Sequence, residues 1–268
     1  MSTAQVSGPD WLESRGPYAA PHCTVRGVAR GSLFHPGGFS LWRVAGSLAE
    51  GTEIEWRSDH GDEAVFVLQG SIELDGVPVD EGSALIIEAG VPAIIRCLVA
   101  SEVVHFGPAS IVSRVDGPCG PAAEDGRHAH VVTRELARTI RFEGGDGATS
   151  IYFGDGTCPT CRITVFEYDG SIFAGGYRGV SHLHSEDEIM HVLDGELEVG
   201  SLRVAAGESI AVPRQLRYSF RTSGPFRYLD YRADVSTAVV DPGSEPVLET
   251  VANLRELGAT RPVRAEGA

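Results

Sequence analysis

The sequence predicts an all-β protein built as a sandwich or barrel. Short apolar runs are broken by turn residues about every 8–12 positions, and long stretches with a 3.6-residue apolar period are almost absent. The 33 Gly and 15 Pro residues supply the turns. With 268 residues, the chain is long enough for one large domain or two small ones.

Charge and composition exclude several classes of protein. The net charge of −15 argues against nucleic acid or a membrane surface as a partner, because both need a basic face. Residues 1–17 lack the basic start and apolar core of a secretory signal, and no apolar run approaches membrane-spanning length. Five cysteines without regular spacing do not form a disulfide framework. We therefore expect a soluble, cytoplasmic protein.

The second half of the chain repeats the first. A shift of 125 residues superposes, without a gap, Gly51 on Gly176, Glu63 on Glu188, Gly70 on Gly195, Gly82 on Gly207, and Phe106 on Tyr231. A weaker upstream match has a shift of 108, and it places His22 on His130 and Phe34 on Phe142. The difference means that the second copy carries 17 extra residues near 146–162. The two halves are therefore expected to be copies of one β unit.

The repeat and the composition predict five segments. Residues 1–21 are rich in Ser, Gly, Pro and Ala, and residues 112–129 are rich in Gly and Pro. Residues 247–258 have apolar positions at helical spacing, with Gly258 as a stop. The predicted segments are a loose arm (1–21), an N-terminal barrel (22–111), a linker (112–129), a C-terminal barrel (130–240), and a helix and tail packed on the outside (241–268).

A metal-binding pattern lies between Gly176 and Gly195. His182 and His184 are two residues apart, so on a strand their side chains leave the same face. Glu188 follows a polar turn and begins an apolar run that ends at an Asp-Gly hairpin turn. Two imidazoles and a carboxylate on adjacent strands make a three-ligand face for a divalent metal, with positions left open for substrate. The alternative is a vestigial motif whose residues only form hydrogen bonds.

The spacing Gly-x5-His-x-His-x3-Glu-x6-Gly over residues 176–195 resembles the first signature motif of the cupin superfamily, and Gly207-x5-Pro213 resembles the opening of the second. The resemblance covers residues 38–108 and 162–233, so the whole chain is similar to a bicupin. It implies two tandem jelly-roll β-barrels, each with a candidate metal site in its interior.

Two departures from the family pattern affect the predicted site. Tyr218 stands where the family has its fourth metal-binding histidine. It could be a phenolate ligand, a neutral acid or base beside the metal, or a ring that blocks the fourth position; we favour the second. In the first copy, Arg57 and Asp59 replace the two histidines, and only Glu63 is retained. This favours a salt-bridged remnant, with His60 facing the other side of its strand.

The metal would be one divalent transition ion per chain. Fe(II) is favoured, while Mn, Ni, Co and Zn are also compatible with histidine and carboxylate ligands. Aromatic residues are more frequent in the second copy, which indicates an apolar or aromatic substrate, and an arginine such as Arg178, Arg203 or Arg217 could anchor a carboxylate. The predicted substrate-binding residues are Tyr177, Arg178, Met190, Phe166, Tyr168 and Phe220.

Three functions are compatible with this site. The first is a non-haem Fe(II) dioxygenase acting on a small organic substrate, since cupins resembling this chain include many such enzymes. The second is a metal-dependent isomerase or lyase with Tyr218 as general acid or base. The third is a non-catalytic module that binds a small molecule.

Edge strands of the barrels make a homodimer plausible. Cys158 and Cys161 are interpreted as turn residues, with a lid over the C-terminal barrel as the alternative.

Overall fold

The computed structural model describes residues 3–7, 13–57, 59–109, 129–141, 148–153, 163–234, 236–240, 243 and 245–248. All regular secondary structure in these residues is β, in strands β1 to β26. The prediction of an all-β protein is confirmed. None of the described residues belongs to a helix that could cross a membrane.

The described chain divides into two compact units. The N-terminal unit lies within residues 13–137 and forms two antiparallel sheets, with strand orders β13-β10-β7-β12-β5-β4-β2 and β3-β6-β11-β8-β9. Its strands are β2 (Glu13–Pro17), β3 (Cys23–Arg26), β4 (Ala29–Phe34), β5 (Leu41–Leu48), β6 (Glu53–Trp56), β7 (Glu63–Gln69), β8 (Ser71–Leu74), β9 (Val77–Asp80), β10 (Ala84–Ile87), β11 (Ile94–Cys97), β12 (Ser101–Pro108) and β13 (Ala129–Val132).

The C-terminal unit combines residues 3–7 with the described residues from 138 onward. Its sheets have the orders β1-β22-β19-β24-β16-β15-β14, β17-β23-β20-β21 and β18-β25-β26. Its strands are β1 (Gln5–Val6), β14 (Arg138–Arg141), β15 (Ala148–Phe153), β16 (Thr164–Asp169), β17 (Tyr177–Arg178), β18 (Leu183–His184), β19 (Glu188–Asp194), β20 (Glu196–Val199), β21 (Leu202–Ala205), β22 (Ser209–Val212), β23 (Phe220–Thr222), β24 (Arg227–Arg232), β25 (Thr237–Val239) and β26 (Val247–Leu248).

Each unit has its own apolar core between its sheets. In the N-terminal unit, alternate residues of β7 and β10 pack against inward residues of β6, β8 and β11. In the C-terminal unit, alternate residues of β19 and β22 pack with aromatic rings contributed by β16, β17, β23 and β24. Alternation along a strand buries one face of each sheet, and this burial is the main favourable contribution to folding.

The segment predicted to be a loose arm contains two strands. β1 pairs with β22, and β2 pairs with β4 over five residues. Both add to a sheet edge, where backbone pairing needs little apolar sequence. The predicted boundary near residue 130 also differs, because β13 pairs with β10 and lies in the N-terminal unit.

The predicted C-terminal helix is wrong at its start. Val247 and Leu248 form β26, which pairs with β25. A two-residue strand can form here because β25 offers an open edge for hydrogen bonding. The rest of the predicted helix, Cys158, Cys161, and the predicted linker apart from Ala129 lie outside the described residues.

Gly195 forms the tight turn between β19 and β20. Its φ is +74°, and a Cβ there would clash with the carbonyl oxygen of Pro225. We expect Gly195→Ala to lower the free energy of unfolding by about 2–4 kcal/mol, because left-handed strain and overpacking add. Gly200→Ala is the matched control: φ is +62° but no atom lies near its Cβ position, so the loss should be about 1 kcal/mol. Equal losses in urea unfolding would contradict this explanation.

Candidate metal centre

Backbone pairing brings His182, His184 and Tyr218 together. His182 N donates to Tyr218 O and Tyr218 N donates to His182 O, each at 2.9 Å. His184 lies on β18 and is held from the other side by β25. The ring centroid of His182 is 4.7 Å from that of His184 and 4.6 Å from that of Tyr218. The predicted alignment of the two histidines on one face is therefore present in the geometry.

Glu188 is the buried centre of the cluster. It is the first residue of β19, and Oε2 lies 3.7 Å from His184 Nε2. Arg232, the last residue of β24, donates to Glu188 Oε2 at 2.8 Å and to Asp230 Oδ2 at 3.0 Å. The same Arg232 Nη2 lies 3.2 Å from His184 Nε2. A guanidinium group therefore lies beside two of the three predicted metal ligands.

The histidine nitrogens and the Glu188 carboxylate are donor atoms of the kinds that bind a divalent metal. The Nδ1 of His182 contacts the Val180 carbonyl at 2.8 Å, and because a carbonyl only accepts, Nδ1 carries a proton. In the neutral ring, Nε2 then has the lone pair that a metal needs. Glu188 Oε1 is buried and has no hydrogen-bond partner among the described residues. A cation would satisfy this oxygen, which is costly to leave buried and unpaired.

The geometry also places Arg232 in competition with a metal. Arg232 Nη2 lies 2.8 Å from Glu188 Oε2 and 3.2 Å from His184 Nε2, so it contacts two of the atoms that would bind an ion. Arg232 would have to release Glu188 and His184 before all three donors could serve one ion. Burial raises the pKa of Glu188, but interactions with His184 and Arg232 and a hydrogen bond from Tyr218 outweigh it, so the net pKa lies below its usual value.

Tyr218 contacts both predicted ligand types. Its hydroxyl lies 3.5 Å from His184 Nε2, and it interacts electrostatically with the Glu188 carboxylate. Burial, followed by the negative charges of Glu188 and Asp230, raises the pKa of Tyr218 well above its ordinary value. In this arrangement Tyr218 is a neutral phenol, and its role as an acid or base beside a metal stays a prediction.

Four of the predicted substrate-binding residues lie in the core around the cluster. Tyr168, Tyr177 and Phe220 form one aromatic group, with ring centroids 5.5–6.1 Å apart, and Met190 is buried in the same core. The rings are amphipathic or apolar and exclude water from the interior of the unit.

The remaining two predicted substrate-binding residues, Phe166 and Arg178, lie in different environments. The Phe166 ring lies under Arg232, whose guanidinium carbon is 5.5 Å from the ring centroid. Arg178 has an exposed side chain on β17. Its role as a substrate ligand stays a prediction.

Sequence reasoning missed Arg232 and Asp230. Of the arginines considered as anchors, Arg203 is exposed and pairs with Glu198, while Arg217 donates to the Ser181 and Val240 carbonyls. The signal that could have found the pair is the alternation in the strand Arg-Tyr-Leu-Asp-Tyr-Arg, where Asp230 and Arg232 share one face with Tyr228. Polar residues at period two on an otherwise buried strand point into an interior site.

In the N-terminal unit, Arg57 and Asp59 form an exposed ion pair at 3.2 Å. His60 lies between β6 and β7 rather than on a strand, and both of its ring nitrogens contact backbone carbonyls. His60 therefore lies in a buried loop and not, as predicted, on the other face of a strand. Glu63 is held by other residues: Oε2 lies 2.7 Å from Trp56 Nε1 and 2.9 Å from His105 Nε2.

Comparison with known proteins identifies the fold. No protein-family model matches the sequence, and no curated protein matches it. Solved structures do match. A protein described as glyoxylate-induced in Pseudomonas aeruginosa has 19% identity and a TM-score of 0.62, with 86% of this chain and 88% of that chain covered. YlbA from E. coli has 12% identity and a TM-score of 0.59, with 86% and 90% covered.

Oxalate decarboxylase from Bacillus subtilis also matches, with 14% identity, a TM-score of 0.58, and 82% of this chain and 76% of that chain covered. These neighbours are cupin-fold proteins, and this chain has the cupin fold. At these identities the likeness establishes the fold alone, since one fold hosts many chemistries.

Proposed function

We propose that this chain is a bicupin metalloenzyme, with two tandem jelly-roll barrels and one active centre in the C-terminal unit, acting on a small carboxylate-bearing compound. The observation that supports the proposal best is the Glu188 cluster: a fully buried carboxylate with an unsatisfied oxygen, two histidines beside it, and a neutral phenol in contact. The sequence repeat and the division of the described chain into two compact units support the two-barrel organisation.

His182, His184 and Glu188 would hold the metal, with Fe(II) favoured and Mn, Ni, Co or Zn compatible. When bound, the metal would act as a Lewis acid and a template for substrate. Arg232 is the buried cation nearest the cluster, and after releasing Glu188 it could pair with a substrate carboxylate in the bidentate manner typical of arginine. The surrounding aromatic rings would exclude water, and they suit a substrate with an apolar or planar portion.

Two reaction classes use these residues differently. In a lyase or isomerase, Tyr218 would transfer a proton to or from the substrate, and the oxalate decarboxylase neighbour supports this class. In a dioxygenase, the two-histidine, one-carboxylate set would leave positions for both substrate and dioxygen, which supports the second class. Oxygen uptake distinguishes them. We would test small carboxylates, including oxalate and glyoxylate, under air and under nitrogen.

The first test is metal content. We expect the His182→Ala/His184→Ala variant to lose about one equivalent of metal relative to the wild type, because two of three ligands are removed. Both proteins would be purified anaerobically without a metal-affinity tag, loaded with Fe(II) or Mn(II), desalted and measured by elemental analysis. His191→Ala is the matched control, since His191 is buried on the same strand as Glu188 but contacts Ser209 instead.

Equal metal content in the wild type and the double variant would contradict the proposed centre. Turnover of none of the carboxylates by a metal-loaded protein, combined with tight retention of one of them, would favour the non-catalytic binding module. We also retain as proposals a cytoplasmic location, a small-molecule partner and a homodimer formed through edge strands.

A further inference from the structure

We propose that Cys23, Glu63 and His105 form a zinc-binding site inside the N-terminal unit, separate from the Glu188 cluster. Cys23 Sγ lies 3.9 Å from Glu63 Oε2, and His105 Nε2 lies 2.9 Å from the same oxygen. All three ligand atoms lie within 4.8 Å of one another. A thiol, an imidazole and a carboxylate are the three ligand types that zinc uses in proteins.

The Glu63 carboxylate lacks a partner on one oxygen. The side chain is fully buried, and the donors described above converge on Oε2. Oε1 is buried and has no hydrogen-bond partner among the residues that the structure describes. A buried carboxylate oxygen without a partner is costly, and a cation bound by the Glu63 carboxylate would compensate this cost.

Two further residues would orient the ligands. Tyr18 Oη lies 2.8 Å from His105 Nδ1, and Trp56 Nε1 donates to Glu63. If His105 donates from Nδ1 to the tyrosine oxygen, its Nε2 lone pair faces Cys23 and Glu63 without any movement of the ring. Metal-bound histidines in proteins are usually held by such a hydrogen bond on the second ring nitrogen.

The spacing is close to that of a tetrahedral zinc site. Zn–S of about 2.3 Å and Zn–N or Zn–O of about 2.1 Å imply ligand separations of about 3.6 Å for S···O and about 3.4 Å for N···O. The observed 3.9 and 2.9 Å differ from these by a few tenths of an ångström. Cys23 is only partly buried, so the thiol provides a route of entry from solvent.

The site would connect the two sheets of the unit. Glu63 and His105 lie on neighbouring strands of the seven-stranded sheet, where His105 pairs with Val65. Cys23 lies on the five-stranded sheet, where it pairs with Trp56. A metal held by both sheets stabilises the folded unit, because it binds the native state and not the separated strands.

A nucleophilic cysteine is the alternative use of these residues. Burial, followed by the negative charge of Glu63, raises the pKa of the Cys23 thiol well above its ordinary value. Reactive cysteines have the opposite environment, with a lowered pKa beside a cation. This environment disfavours covalent catalysis at Cys23.

The test uses Co(II) as a spectroscopic probe and Zn(II) for affinity. To remove thiols outside the proposed site, all measurements use the full chain with Cys119, Cys158 and Cys161 replaced by serine. We expect a thiolate-to-Co(II) charge-transfer band in the near ultraviolet, and its loss in Cys23→Ser. Zinc affinity should fall by more than about 100-fold in Cys23→Ser and by about 10–100-fold in Tyr18→Phe, which removes only the orienting hydroxyl.

Cys97→Ala is the matched control, because Cys97 is the other described free cysteine and is buried in the same unit. It should retain the band and the zinc affinity. The band, or wild-type zinc affinity, persisting in Cys23→Ser would overturn the proposal, as would failure of the parent protein to bind either metal. If Cys23→Ser does not fold, His105→Gln replaces it with the same expected loss. His182→Ala/His184→Ala should leave the band unchanged, so the two centres fail independently.

Discussion

Replacing Tyr218 with phenylalanine is expected to lower kcat by about 10²–10⁴-fold, with a much smaller change in KM. The reason is that a positioned proton donor or acceptor contributes about this factor to the transition state. Tyr218 is buried, contacts both His184 and Glu188, and keeps its proton because burial and nearby carboxylates raise its pKa. The measurement is steady-state kinetics on the carboxylate that the substrate screen identifies.

Tyr152→Phe is the control for loss of a buried hydroxyl. Tyr152 is also buried in the C-terminal unit, but its hydroxyl contacts Glu167. Its kcat should stay within about twofold of the wild type, because Glu167 pairs with Arg227 and is not one of the proposed ligands. If Tyr218→Phe raises KM and leaves kcat unchanged, Tyr218 only fills space or binds substrate, and the acid or base role is wrong.

Replacing Arg232 with methionine should lower the free energy of unfolding by about 3–5 kcal/mol in metal-free protein. Arg232 pairs with Glu188 and Asp230 where all three side chains are buried, so its removal leaves two carboxylates without this cation. Breaking one side of a buried ion pair has this cost. Urea unfolding at neutral pH with a chelator present measures the loss.

The same variant tests the competition between Arg232 and a metal. Without the guanidinium, Glu188 and His184 are open to a divalent ion, and an ion at about 100 times its dissociation constant would restore about 2.7 kcal/mol. Arg203→Met is the control: Arg203 is largely exposed in its pair with Glu198, so we expect a loss of only about 0–1 kcal/mol. Similar losses in both variants would mean that the buried pair is not a major source of stability.

The sequence could predict the strands and the ligand motif because both are local. Turn residues and apolar alternation determine where strands form, and the two-residue spacing of His182 and His184 puts their side chains on one face. Glu188 is close in sequence but lies on a strand of a different sheet. Arg232 and Asp230 could not be found in this way. They reach Glu188 through the pairing of β24 with β19, and this long-range register is not encoded in a short pattern.

The same limit explains the N-terminal unit. Cys23, Glu63 and His105 are separated by up to 82 positions (105 − 23) and meet only when β3, β7 and β12 are assembled. In the sequence, Cys23 stands alone and Glu63 is the remnant of a lost motif. The short strand β1 was missed for a different reason: two residues show no periodicity, and only the partner edge makes them a strand.

The pairing of β1 with β22 has a consequence for how the protein behaves at high concentration. Residues 5–7 cover the outer edge of β22, whose four residues are all buried, and Ser7 exchanges hydrogen bonds with Ser209. An uncovered, apolar edge strand readily pairs with the same edge of another molecule. Deleting the first seven residues, or fusing a bulky tag directly to them, should therefore promote self-association, visible by light scattering, even where the fold and the two proposed metal centres stay intact.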